Sequence, residues 1–103
     1  MDDKLNEALR TAVEAWEEMG KADYDHSEEA AERFEHSFYR FIDVFREWVR
    51  GLEPRPNSVE QLMALDTCAE IVKRLPAPLH LNFETEAELI IDGRLRIDED
   101  KYD

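Results

Sequence analysis

The most regularly spaced side chains that could take part in binding are carboxylates. Glu84, Glu86 and Glu88 alternate with other residues in a stretch that we predict to be extended. Side chains two residues apart in a strand project from the same side, at intervals of about 6.6 Å. The three glutamates are therefore predicted to form a row of negative charge that binds a basic protein surface.

A second group of carboxylates lies in the first predicted helix. Glu14 and Glu18 stand four residues apart, with Glu17 beside them. Like charges at this spacing destabilise a helix by a few tenths of a kcal/mol, so helix stability alone does not select them. Surface solvation, and a charged edge strand that resists aggregation, explain both groups without a partner. Partner binding is our hypothesis for the six glutamates, and solvation is its alternative.

Metal and catalytic chemistry find little support in the sequence. Glu29, Glu32 and His36 lie on one face of the second predicted helix and are weak candidates for a divalent metal, but they lack the Glu-x-x-His spacing of di-iron sites in helical bundles. The three glycines all fall at predicted helix ends or turns, which leaves none for a phosphate-binding loop. Cys68 lies in an apolar helix face, as core cysteines do. We predict no catalytic residue and no cofactor.

Negative charge dominates the composition and restricts the partners. The 103 residues include 26 acids and 13 bases, for a formal net charge of -13. No stretch has the excess of Lys and Arg that phosphate contacts need, so we expect a protein partner with a basic surface and no direct binding of nucleic acid. The first residues lack the features of a leader, and no apolar run approaches the roughly 18 to 20 residues of a membrane span. We therefore expect a cytoplasmic protein without membrane contact.

Three amphipathic helices are predicted to position these side chains. Apolar residues recur at steps of three and four over residues 4–19, 27–51 and 58–75. The aromatic seam of the second helix is too bulky for a regular two-stranded coiled coil, so it predicts globular packing. Homodimerisation through the narrower first half of that helix is the alternative.

Local signals predict where these helices begin and end. Gly20 is expected to end the first helix as a left-handed cap, and Gly51 to end the second. The second helix is expected to begin at Asp25 or Ser27, either of which can accept a hydrogen bond from an N-terminal amide. Ser58, with Gln61 three residues later, has the spacing of a capping box.

The period changes to two after the third helix, which predicts a small sheet. Asp92-Gly93 between two apolar runs is typical of a two-residue hairpin turn. The predicted strands are residues 79–84, 88–91 and 94–97, followed by an acidic tail over residues 98–103.

These elements predict an α+β fold that is mainly α. One domain over residues 1–103 is expected to contain a three-helix antiparallel bundle and a small C-terminal antiparallel β-hairpin or three-strand meander. A winged helix is disfavoured because the third helix exposes acids and follows a linker that contains proline.

The leading hypothesis for function is a non-catalytic, acidic interaction module: a small regulator, inhibitor or accessory subunit. One alternative is a nucleic-acid mimic that inhibits a DNA- or RNA-binding protein. The other is a metal-binding protein or enzyme that uses the Glu and His cluster on the second helix.

Overall fold

The computed structural model describes residues 2–93, of which 82% are helical, and this part of the chain contains no strand. Single 3-10 turns precede the second and fifth α-helices. Backbone contacts divide the described residues into two compact units, one that ends at Arg50 and one that begins at Gly51. The α-helices are α1 (Asp3–Lys21), α2 (Ser27–Arg50), α3 (Val59–Met63), α4 (Asp66–Arg74) and α5 (His80–Ile91).

The N-terminal unit is an antiparallel hairpin of α1 and α2. Near the connection, the rings of Trp16 and Phe34 meet edge to face at 5.2 Å between centroids. Farther from the connection, the ring of Phe41 lies 6.3 Å from that of Phe45, and both residues are fully buried. In the aromatic seam of this helix, Phe38, Phe41 and Phe45 are buried, and Phe34 and Trp48 are half-buried. The buried residues of α1 are Leu5, Leu9, Ala12 and Ala15.

The ends of the first two helices differ from the sequence prediction in detail. Gly20 does not end α1, because the helix continues to Lys21 and stops where Ala22 becomes extended. The second helix ends at Arg50, one residue before the predicted end. Its entry is a 3-10 turn, Tyr24–His26, in which the carboxylate of Asp23 accepts a hydrogen bond of 3.1 Å from the amide of His26.

The third predicted helix is two helices in the structure, α3 and α4. Its start is confirmed, because the Ser58 hydroxyl accepts a hydrogen bond of 3.1 Å from the Gln61 amide. The Gln61 side chain in turn accepts a bond of 2.9 Å from the Asn57 amide. The helix breaks at Leu65, whose backbone is extended. Asp66 begins α4, as expected of a residue type that favours helix starts over helix interiors.

The predicted sheet is wrong where the structure describes it, because residues 79–84 and 88–91 belong to the 3-10 turn Ala77–Leu79 and to α5. Leu79, Phe83 and Ala87 recur at steps of four and are buried, as one face of a helix should be. The described residues therefore form an all-α structure of five α-helices, so the predicted α+β fold built on a three-helix bundle is wrong. The predicted strand 94–97 and the tail 98–103 lie outside the described residues.

Gly93 ends α5 and is not part of a hairpin turn. Its φ angle is +74°, in the left-handed region that glycine adopts without strain. The amide of Gly93 donates a hydrogen bond of 3.1 Å to the carbonyl of Ile90, and the amide of Asp92 donates one of 3.0 Å to that of Glu88. The Asp-Gly pair thus serves as a helix C-cap.

Candidate functional site

Helix α5 separates the three glutamates that were predicted to form one row. Glu84 and Glu88 are four residues apart, so they share a face of the helix and both are exposed. Glu86 is two residues from each, which places it on the opposite face, where it is 7% exposed. The predicted three-member row is not formed, because it required a strand. Two of its members remain together.

The face of α5 that carries Glu84 and Glu88 borders a groove beside α3, within the C-terminal unit. We call this cavity of about 410 Å³ the acidic groove. It contains two half-buried apolar side chains and one exposed apolar side chain, and acids line its edges. Its principal lining residues are Val59, Glu60 and Met63 of α3 and Leu81, Glu84 and Glu88 of α5.

The electrostatics of the acidic groove are one-sided. Glu60, Glu84 and Glu88 line it, and no basic side chain within residues 2–93 does. Within residues 2–93, none of these three carboxylates has an ion-pair partner. Glu84 and Glu88 also repel each other at their four-residue spacing. A cation that entered the groove would therefore meet uncompensated negative charge.

The apolar part of the groove is exposed to an unusual degree for this chain. Leu81 is 72% exposed, whereas Phe83, two residues later, is fully buried. Val59 and Met63 lie four residues apart on α3 and are half-buried. The sequence pattern does not indicate these three groove residues, because a strand over residues 79–84 would bury Leu81 and the packing of α3 beside α5 has no local signal.

The glutamates of α1 have a different environment. Glu14, Glu17 and Glu18 are exposed. The guanidinium of Arg10 lies 3.5 Å from the Glu14 carboxylate, and that of Arg33 lies 3.6 Å from the Glu18 carboxylate. Such exposed pairs are weak, but they place a positive charge beside Glu14 and beside Glu18 and so reduce the repulsion within the group. Helix-surface electrostatics therefore account for two of these three residues.

The acidic character of α1 continues through the connection into α2. Residues 14–32 contain eight acids and one lysine, and all eight acids are exposed. Tyr24, within this connection, is 94% exposed. We call residues 14–32 the hairpin end. The charge run was visible in the sequence, but its concentration at one end of a helical hairpin was not.

The weak metal candidates do not assemble into a site. Glu29, Glu32 and His36 are exposed on α2, and residues 2–93 contain no group of three or more His, Cys, Asp or Glu side chains placed to hold a metal ion. Burial raises the pKa of the Cys68 thiol to about 11, so this thiol is a poor nucleophile near neutral pH.

The other two histidines take part in local hydrogen bonds. The imidazole Nδ1 of His26 lies 2.7 Å from the Asp23 carboxylate. The half-buried His80 donates from Nε2 to the carbonyl of Leu75 at 3.0 Å. Each contact joins residues near in sequence and fixes the start of a helical segment, so both histidines have a structural explanation.

Comparison with protein-family models, with curated proteins and with solved structures finds no match to this chain. None of the helices within residues 2–93 is both long enough and apolar enough to cross a membrane.

Proposed function

We propose that this chain is a non-catalytic interaction module whose acidic groove binds a basic, amphipathic segment of a partner protein. The observation that carries the proposal is the exposed Leu81 beside two carboxylates, Glu84 and Glu88, that have no ion-pair partner among the described residues. In this role the chain is a small regulator, inhibitor or accessory subunit.

The apolar residues of the groove supply affinity. Burial of a leucine side chain contributes about 1.5–3 kcal/mol, and Leu81 keeps 72% of its surface exposed. Covering it fully would therefore contribute about 1–2 kcal/mol before any contact with Val59 or Met63. An apolar side chain of the partner is the natural occupant, since it removes both surfaces from water.

The carboxylates select the charge and spacing of the partner. Glu84 and Glu88 lie one helical turn apart, about 6 Å along α5. Basic residues three or four apart on a partner helix match this separation, as do residues two apart on an extended segment. The long-range field of the acids accelerates encounter with such a segment, and close ion pairs slow its release.

Neutralising the groove tests the proposal. The probe is a fluorescein-labelled synthetic helix with one leucine face flanked by lysines, and its binding is followed by anisotropy. We expect the double variant Glu84→Gln/Glu88→Gln to bind this probe about tenfold more weakly than the unmodified chain. The matched control, Glu17→Gln/Glu18→Gln, removes the same charge from α1 and should change the affinity by less than about threefold. Equal losses in the two variants would show that binding follows net charge and would contradict the proposal.

A second candidate function places the binding surface at the hairpin end. Its eight exposed acids against one lysine favour mimicry of a nucleic acid toward a DNA- or RNA-binding protein. In that case the two double variants would exchange roles, and the α1 pair would produce the larger loss. Competition against a DNA duplex for a basic DNA-binding protein measures this directly, and failure to displace the duplex would reject the candidate.

A further inference from the structure

Three cations of the N-terminal unit, Lys4, Lys21 and Arg40, have no ion-pair partner among residues 2–93. Lys4 and Arg40 differ from Lys21 because they line one groove. The other four arginines of this unit each pair with a carboxylate, although acids greatly outnumber bases in the chain. Their paired residues are Arg10 with Glu7 and Glu14, Arg33 with Glu18, Arg46 with Asp43, and Arg50 with Glu47.

Lys4 and Arg40 line the same groove from opposite sides. This groove, which we call the cationic groove, has a volume of about 300 Å³ and lies between α1 and α2. Most of the surface area that lines this groove is apolar. Besides the two cations, its lining includes Ala8 and Thr11 of α1 and His36 and Ser37 of α2.

The polar groups of the cationic groove leave it with a net positive charge. Glu7 is the one acid that lines it among the described residues, and Glu7 is already paired with Arg10. The Thr11 hydroxyl donates to the Glu7 carbonyl at 3.0 Å, which fixes that side chain at the wall. The Ser37 hydroxyl has no hydrogen-bond partner among the described residues, so it is available to a ligand.

We propose that the cationic groove binds a small organic anion, a carboxylate carried on an apolar body. The carboxylate pairs with Lys4 and Arg40 and accepts a hydrogen bond from Ser37, and the apolar body covers the walls. With one lining acid against two cations, a single negative charge balances the groove. The strongly negative chain repels multiply charged anions at long range. The volume lies at the lower end of the range for small-molecule sites, which suits a compact ligand.

The test compares three probes of defined chemistry by amide chemical shifts in two-dimensional NMR. Octanoate carries both the charge and the apolar body, octanamide keeps the body without the charge, and inorganic phosphate has charge alone. We expect saturable shifts with octanoate, centred on Thr11 and Ser37. Octanamide and phosphate should each bind at least about tenfold more weakly than octanoate does. Octanamide or phosphate binding as tightly as octanoate would contradict the proposal, as would the absence of a saturable shift with octanoate.

Variants of the cations complete the test. Lys4→Gln/Arg40→Gln changes exposed side chains without ion pairs among the described residues, so the helical hairpin should keep its circular dichroism spectrum. This variant should weaken octanoate binding about tenfold or more. The control Lys21→Gln removes an exposed cation that does not line the cationic groove, and it should bind octanoate normally. A Lys4/Arg40 variant that binds octanoate as the unmodified chain does would overturn the assignment.

Discussion

Leu81 and Phe83 are only two residues apart, yet the structure predicts that truncating them destabilises the chain to very different extents. Leu81 is 72% exposed on the groove side of α5, and Phe83 is fully buried on the other side. A strand over residues 79–84 would instead bury both on one face. The substitutions Leu81→Ala and Phe83→Ala therefore test the helix directly.

The expected magnitudes follow from burial. A leucine gains about 1.5–3 kcal/mol on full burial, so Leu81→Ala removes only about 0.4–0.8 kcal/mol at its observed exposure. The better helix propensity of alanine restores a few tenths of a kcal/mol. Phe83→Ala should lower the free energy of unfolding by about 3–5 kcal/mol, the range for a buried phenylalanine. In a strand core, Leu81→Ala would cost about 2–5 kcal/mol.

Urea denaturation followed by circular dichroism at the helix band measures both variants. With a denaturant slope of about 1–3 kcal/mol per molar, Leu81→Ala should move the midpoint by less than about 0.5 M. Phe83→Ala should lower it by about 2 M, or leave too little stability to fold, because small domains have only about 5–15 kcal/mol in total. A loss of more than about 2 kcal/mol for Leu81→Ala would refute the helical assignment and the exposed groove residue together.

Two further predictions concern the C-terminal unit. Burial raises the pKa of the Cys68 thiol to about 11, so an aromatic disulfide reagent at about pH 8 should react on the order of 100-fold more slowly with the folded than with the urea-unfolded chain. The folded state disfavours the Cys68 thiolate, so the protonated thiol contributes to the free energy of unfolding fully below about pH 9, and this contribution is lost as the pH rises through about 11. Alkaline unfolding titrations should therefore show a loss of stability in the unmodified chain that Cys68→Ala lacks. Ser58→Ala removes the hydrogen bond from the Gln61 amide and should lower the free energy of unfolding by about 1 kcal/mol. Ser58→Gly should lower it by only a few tenths of a kcal/mol. Equal losses of the two variants in urea denaturation would exclude the cap.

Long periodic segments were predictable from the sequence. In α2, apolar residues recur at helical steps from Phe34 to Trp48, and a pattern that long is hard to fit to any other element. The exact end of α1 was less predictable. Gly20 has the residue type of a cap, but glycine costs only about 1 kcal/mol inside a helix, and the helix continues past it.

The last helix was missed because two patterns overlap in a short segment. Leu79, Leu81 and Phe83 alternate, while Leu79, Phe83 and Ala87 recur at helical steps. Six residues of alternation do not distinguish the two. Residues 84–89 contain several good helix formers, which favour a helix over a strand. A glycine after an aspartate is common at helix ends as well as in turns, so Asp92-Gly93 does not distinguish them.

The candidate site was predictable in part. Glu84 and Glu88 were identified by their charge, but the wrong secondary structure grouped them with Glu86, which is buried. Val59 and Met63 join the groove because α3 packs beside α5. The contact between α3 and α5 is tertiary, so no periodic pattern within either helix predicts it.

Methyl-resolved NMR during titration with the lysine and leucine peptide tests the central claim most directly. If the acidic groove is the binding surface, the methyl signals of Val59, Met63 and Leu81 should shift first and saturate together, and those of Ala22 and Ala31 in the hairpin end should not move. Shifts confined to the hairpin end, or a peptide that binds without perturbing the three groove methyl groups, would contradict it.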